Sequence, residues 1–201
     1  MFLTSPLAQV AEALGAEAGG LSAQPRHNIA PGQEVIACTS EKSLASMRWG
    51  LIPVGRKNAR GRPVLETIVN VRSETVFDKT AFDGLRRCLV PADGWYEWTG
   101  ERRKKTAWRI ARRDGGLLVF AAVYDIWRAP SGQEIAQVAT LTCPPNGDLA
   151  PIHDRMGVIV APSDFQLWLA GSPSEATTIL RPLPDGEVQI TEAAGVDWDG
   201  P

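Results

Sequence analysis

Histidine and cysteine are scarce in this 201-residue chain, and each scarcity excludes something. His27 and His153 are the only histidines, and Cys38, Cys88 and Cys143 are the only cysteines. Three widely spaced cysteines do not make a disulfide framework, and none stands at the short spacing of a zinc ligand set. They suit a reducing compartment, so a cytoplasmic location without metal or other cofactor is expected. No apolar run approaches the roughly 20 residues that cross a bilayer. No basic start followed by an apolar block marks a secretory signal. Repeats, a Gly-rich phosphate signature and a domain linker are also missing from the sequence. One domain is therefore expected over residues 1–190, with an acidic, frayed tail over 191–201, in a monomer that does not engage membranes.

Tryptophan is plentiful, with seven residues in a chain that is 44% hydrophobic and long enough for one good core. The net charge of −2 hides an uneven distribution. Residues 26–155 hold 20 Lys+Arg against 14 Asp+Glu, a surplus of 6, and the flanks hold one Arg against nine acids, a deficit of 8. Arg48, Arg56, Lys57, Arg60 and Arg62 run without an acid until Glu66. A second cluster, Arg102-Arg103-Lys104-Lys105, follows Thr99-Gly100. Basic clusters interleaved with Trp and Pro can track a phosphate backbone, although the 102–105 cluster reads better as a solvated hairpin tip.

The chain is organised around Arg87-Cys88-Leu89-Val90-Pro91-Ala92-Asp93-Gly94-Trp95-Tyr96-Glu97-Trp98. An apolar run feeds a Pro91-to-Gly94 turn, and a second strand-forming run follows. A period of two puts Trp95 and Glu97 on one face, and Tyr96 and Trp98 on the other. Glu97 is then either a solvated strand residue or a carboxyl whose desolvation raises its pKa, fit to act as acid and then base.

Elsewhere, Ser5, Pro6 and Gly15 punctuate a short helix over 5–14 with Leu7, Val10, Ala11 and Leu14 on one stripe. Pro25 and Pro31 bracket Arg26, His27 and Asn28 in a stiff segment, read equally as a scaffold lining a site or as a structural loop. Strands are expected at 34–38, 46–52 and 134–143, and a hairpin of 106–113 with 117–127 through Asp114-Gly115-Gly116. Asn70 and Arg72 precede Ser73, a candidate cap for a helix reaching about Phe82. Backbone N–H groups there could hold phosphate, and turn chemistry is the alternative for Asn70. His153 is a natural proton shuttle by its pKa, and a structural histidine otherwise. Ser163 with Gln166 suggests a capping box, a helix at 174–180 follows, and Pro184-Asp185-Gly186 turns the chain near its end.

Six blocks, in order, carry a resemblance. They are Leu3-Thr4-Ser5-Pro6, Pro25 to Pro31, Trp49-Gly50-Leu51-Ile52-Pro53, Asn70-Val71-Arg72-Ser73-Glu74-Thr75, the 87–98 stretch, and Ala150-Pro151-Ile152-His153-Asp154-Arg155-Met156. Together they resemble the SRAP (SOS response-associated peptidase) family, whose members process abasic sites in single-stranded DNA. The resemblance implies a covalent bond to the aldehyde of a ring-opened abasic deoxyribose, made by a cysteine that follows the initiator methionine. Its α-amine forms an imine and its thiol closes a thiazolidine. By the same resemblance Asn70 holds the N-terminal residue, and Glu97 and His153 move protons. Arg72, Ser73, Thr142 and Arg155 contact phosphates or support the site, and Trp49 and Pro53 lie near the DNA groove.

The family begins with a short Met-Cys-Gly-Arg segment, whereas residue 2 here is Phe. None of the three cysteines can substitute, because a thiazolidine needs amine and thiol on one N-terminal residue. The expectation is that Met1 is internal to a reading frame that starts slightly upstream. The expected fold is α+β, mostly antiparallel β and barrel-like, with short peripheral helices. The expected partner is single-stranded DNA containing abasic sites, in a bacterial cytoplasm at the nucleoid. The alternatives are a non-covalent single-stranded DNA binder and a cysteine peptidase.

Overall fold

The computed structural model describes residues 1–52, 67–79, 82–101, 104–129, 131–198 and 200. In chain order the elements are α1 (Leu7–Leu14), β1 (Glu34–Cys38), β2 (Leu44–Trp49), β3 (Asn70–Arg72), β4 (Arg86–Ala92), β5 (Gly94–Glu101) and β6 (Lys104–Arg112). They continue with β7 (Leu118–Arg128), β8 (Glu134–Cys143), β9 (Met156–Gly157), α2 (Phe165–Ala170), α3 (Pro173–Thr177) and β10 (Val188–Glu192).

Two strands without a polar face set the architecture. β4 is buried continuously from Cys88 to Ala92, and β7 from Leu118 to Tyr124. An unbroken apolar run marks a strand covered on both faces, since each side of the pleat must leave water. The two pair antiparallel from Arg86↔Tyr124 to Ala92↔Leu118. α2 covers one side, its buried Trp168 donating Nε1–H to the Cys88 carbonyl at 2.8 Å. The row β2-β1-β4-β7-β8 closes on itself because β2 also pairs β8 in parallel, through Arg48↔Gln137 and Trp49↔Val138. The product is a small five-stranded mixed barrel in which only β2–β8 is parallel, in keeping with the expected barrel-like, mostly antiparallel α+β class. Gln137 is fully buried at this seam, its amide satisfied by the backbone N–H and carbonyl of Ile52 at 3.0 and 3.2 Å.

β3 and β9 extend the barrel from β8, and β10, β6 and β5 form a separate three-stranded sheet. The chain passes between the two at Asp93. Its carboxylate accepts from Thr4 N (2.5 Å), Thr4 Oγ1 (2.8 Å), Ser5 N (2.9 Å) and Ser5 Oγ (2.6 Å). Burial alone would raise the Asp93 pKa, but these four donors outweigh it and hold the carboxyl below its ordinary value. At Gly94 a Cβ would stand 2.1 Å from the Ile110 carbonyl oxygen and 2.5 Å from the Phe2 ring, so only glycine fits that crossing. Trp95 then meets Phe120 edge-on at 5.8 Å, locking the small sheet to the barrel.

Several local expectations are corrected. β6 and β7 are not a hairpin: β6 pairs β5 and β10, while β7 pairs β4 and β8, so Asp114-Gly115-Gly116 turns the chain from one sheet into the other. Likewise Pro91 and Ala92 belong to β4, and the bend after them joins sheets. Ser5 serves Asp93 instead of capping α1, whose N-cap is Pro6 without a side-chain bond; Gly15 does end the helix in left-handed geometry. Ser73 opens only a single 3-10 turn, Ser73–Thr75, not a helix to Phe82. Ser163 lies in a 3-10 turn without a capping bond, and the capping box belongs to Ser172 and Glu175. The stretch 191–201 is not a frayed tail where described, for Thr191 and Glu192 complete β10 and Trp198 packs on Tyr96 and Trp98. Among the described residues no helix is long and apolar enough to cross a membrane.

Candidate active site

A cavity of about 440 Å³ opens where the small sheet faces the β8 edge of the barrel. Register explains its polar wall. β3 runs parallel to β8 with Asn70 opposite Thr140 and Arg72 opposite Thr142, so both pairs project to the same side. Thr140 Oγ1 donates to Asn70 Oδ1 at 2.7 Å, which fixes the amide and leaves its NH₂ for the cavity.

The opposite wall comes from β5. Trp95 and Glu97 share a face, as the alternation predicts, and both line the cavity with Tyr96 and Trp98. Burial raises the Glu97 pKa above its ordinary value, while nearby His153, a hydrogen bond with Trp95 and the Met1 α-amine pull the other way. The desolvated reading of Glu97 therefore replaces the solvated one. The Met1 α-amine donates to the Ile29 carbonyl at 2.9 Å. Its burial lowers its pKa to about 5, with Glu97 opposing.

His153 is delivered by the loop between β8 and β9, its backbone N–H bonded to the Leu149 carbonyl at 3.0 Å. Its Nδ1 is engaged by the Arg155 backbone, 3.0 Å from the N–H and 2.9 Å from the carbonyl oxygen, which leaves Nε2 for proton exchange. Arg155 is bidentate to Glu74 at 2.5 and 2.7 Å and also donates to the Thr142 carbonyl at 2.6 Å. The Arg155 hydrogen bonds hold the Glu74 carboxyl down at about 2, so this pair stays charged throughout the physiological range.

Seven of the nine site residues expected from sequence, Asn70, Glu97, His153, Arg72, Trp49, Thr142 and Arg155, line this one cavity. Trp49 is buried and donates Nε1–H to the Val69 carbonyl at 3.2 Å. Ser73 does not line it; its hydroxyl is buried beside Glu74 at 3.3 Å. Pro53 lies outside the described residues, as do the basic loop 55–62 and Arg102 and Arg103. The 25–31 segment is a scaffold for the site: Asn28, Ile29, Ala30 and Pro31 line it, and the His27 carbonyl accepts from Tyr96 OH at 2.9 Å. Met1, Phe120, Thr140 and Gly157 also line it and were not anticipated. Thr140 had a signal, standing two residues before Thr142 on one strand face. Among the described residues, no three or more His, Cys, Asp or Glu side chains form a metal-binding group, and all three cysteines are buried away from the cavity.

Abasic site processing protein YoaM of Bacillus subtilis (strain 168) is 31% identical over 183 residues, covering 86% of this chain and 79% of its own. Abasic site processing protein HMCES of Gallus gallus is 31% identical over 173 residues, covering 73% of this chain and 52% of its own. A crystal structure of a protein from Bacteroides thetaiotaomicron shares the fold with a TM-score of 0.81 at 23% identity, covering 96% of this chain and 90% of that one. A phage-related protein from Bordetella bronchiseptica superposes with a TM-score of 0.71 at 27% identity, covering 96% and 93%. Residues 1–195 match the family described as SOS response associated peptidase (SRAP), and the chain belongs to that family.

Proposed function

We propose that this chain processes abasic sites in single-stranded DNA, capturing the ring-opened deoxyribose aldehyde in the cavity between β5 and β8. The reading is carried by one convergence: a desolvated carboxyl, an imidazole and an anchored amide meet in a cavity that Arg72 also lines. The names of the relatives supply the lesion, and the resemblance supplies the covalent chemistry.

In this mechanism an N-terminal amine adds to the aldehyde carbon, and His153 takes the proton that the amine sheds and returns it to the carbinolamine oxygen. Protonated Glu97 gives its proton to that hydroxyl, which leaves as water, and takes back the remaining nitrogen proton to leave the neutral imine. A thiol on the same N-terminal residue then adds across the C=N bond, its proton passing to nitrogen, to close a thiazolidine. Asn70 positions the N-terminal residue through the amide that Thr140 anchors. Arg72 meets a phosphate, while Arg155, tied to Glu74, holds the wall at Thr142, with Ser73 supporting it from outside the cavity. Trp49 flanks the DNA strand. Met1 lines the cavity, so residues joined ahead of it enter the cavity, where the family's cysteine would be delivered.

The test adds Met-Cys-Gly-Arg ahead of Met1 and incubates the product with an oligonucleotide carrying an abasic site. An adduct should survive denaturing electrophoresis and vanish when the added cysteine becomes alanine. The 201-residue chain should bind the same oligonucleotide without such an adduct. Efficient denaturation-resistant cross-linking by the 201-residue chain would point to another nucleophile. Binding without cross-linking by the extended chain would leave a non-covalent binder.

A further inference from the structure

Three large hydrophobic side chains are exposed among the described residues, and two of them, Trp98 and Trp198, are neighbours. Trp98 is 44% exposed and Trp198 41%, with ring centroids 5.5 Å apart and planes tilted by 55°. This tilted pair leaves much of both rings in water, beside a cavity that Trp98 itself lines. Trp198 also stands edge-on to Tyr96 at 4.9 Å, and Tyr96 leads on to Phe2 at 5.2 Å.

The placement of Trp198 is held from the cavity side. Asn28, a lining residue, donates its Nδ2–H to the Trp198 carbonyl at 2.7 Å, and the Tyr96 hydroxyl is fixed by the His27 carbonyl. The same stiff segment thus positions both the aromatic floor and the ring laid over it. Two half-open aromatic rings beside the cavity offer the apolar, π-rich surface that fits the face of a base. Trp198 lies beyond residues 1–195, the extent of the family match.

Resting on the reading of the cavity as a single-stranded DNA site, we propose that Trp198, with Trp98, forms a stacking subsite for an unpaired nucleobase next to the lesion. Such stacking tolerates any base, because every base presents a π-face. The subsite would orient the strand so that the baseless sugar, having no ring to stack, is the one that enters the cavity.

The test uses a short oligothymidylate with one tetrahydrofuran abasic analogue, which cannot react, and reads fluorescence anisotropy at fixed salt. Trp198→Ala should weaken binding about 5- to 10-fold, the lower range of one base–aromatic stack. On an oligonucleotide whose bases adjoining the lesion are also removed, wild type and Trp198→Ala should bind alike. Trp198→Phe should bind more tightly than Trp198→Leu, since leucine covers Tyr96 but offers no ring; this comparison decides the matter should the alanine variant fold poorly. Equal or tighter binding by Trp198→Ala on the base-bearing strand, or leucine matching phenylalanine, overturns the subsite. No binding of either oligonucleotide by the wild type instead refutes the single-stranded DNA reading of the cavity.

Discussion

Asp93 and Glu97 sit on one continuous stretch of chain, yet their surroundings drive them in opposite directions. Both are drawn out of water. At the corner, Thr4 and Ser5 aim two backbone N–H groups and two hydroxyls at Asp93, and the carboxyl is held below its ordinary pKa. On the cavity wall, Glu97 has Trp95, His153 and the Met1 α-amine for neighbours, and burial dominates and raises it. The number of donors aimed at a buried carboxylate, not its burial, separates a carboxyl held ionised from one pushed toward its protonated form.

The sharpest way to break this contrast is Glu97→Gln in the chain extended by Met-Cys-Gly-Arg. Loss of the proton donor should slow adduct formation about 100-fold or more, read as the initial rate on denaturing gels. Asp93→Ala should leave that rate within a few-fold in folded protein. Its cost should be about 3 kcal/mol of stability, measured by denaturant unfolding, because two backbone N–H groups lose a charged acceptor in a half-buried corner.

The pH dependence of stability sharpens the same comparison with opposite signs. A depressed Asp93 contributes stability that is present above the ordinary carboxyl value and is lost as pH falls through its folded pKa. A raised Glu97 works the other way: the folded state binds the extra proton, so stability declines as pH rises from the ordinary value through the raised one. Glu97→Gln should therefore melt higher than wild type at pH 8 and match it at pH 4. A melting difference that persists unchanged at pH 4 would contradict the desolvation of Glu97.

The smallest expected effect extends the contrast to cations. Arg72→Ala, at the cavity, should lower the salt slope of single-stranded DNA binding by about 0.7 log unit per log unit of salt, one phosphate's worth. Lys104→Ala, at the hairpin end of β6, should leave the slope unchanged.

Part of this site was legible in local pattern, whereas Trp49, Thr142 and Arg155 came only from the family resemblance. The period of two placed Glu97 with Trp95, and the two prolines marked 25–31 as stiff. Strand partners were not legible. Asp114-Gly115-Gly116 has the same composition whether the flanking strands pair with each other or leave for different sheets, and the partners of β6 and β7 lie far off in sequence. Serine caps failed for a related reason: Ser5 has a competing carboxylate at Asp93, which no local pattern discloses. Trp198 was hidden by the acidic, Gly-containing residues around it, which resemble a solvated tail until Asn28 and Tyr96 are placed beneath it.

The parallel seam between β2 and β8 has a consequence for how the protein reaches its native state. It joins residues 48 and 49 to 137 and 138, so the chain between must already be gathered before the ring can shut. Such non-local pairings meet their loop-closure entropy before they gain contacts, which places them late in folding and slows it. Trp49 arrives with that seam, and Asn70 and Arg72 dock on the same strand, β8. A nascent or partly folded chain therefore carries Glu97 without the wall that faces it, and competence for chemistry should emerge in a single late step together with ring closure.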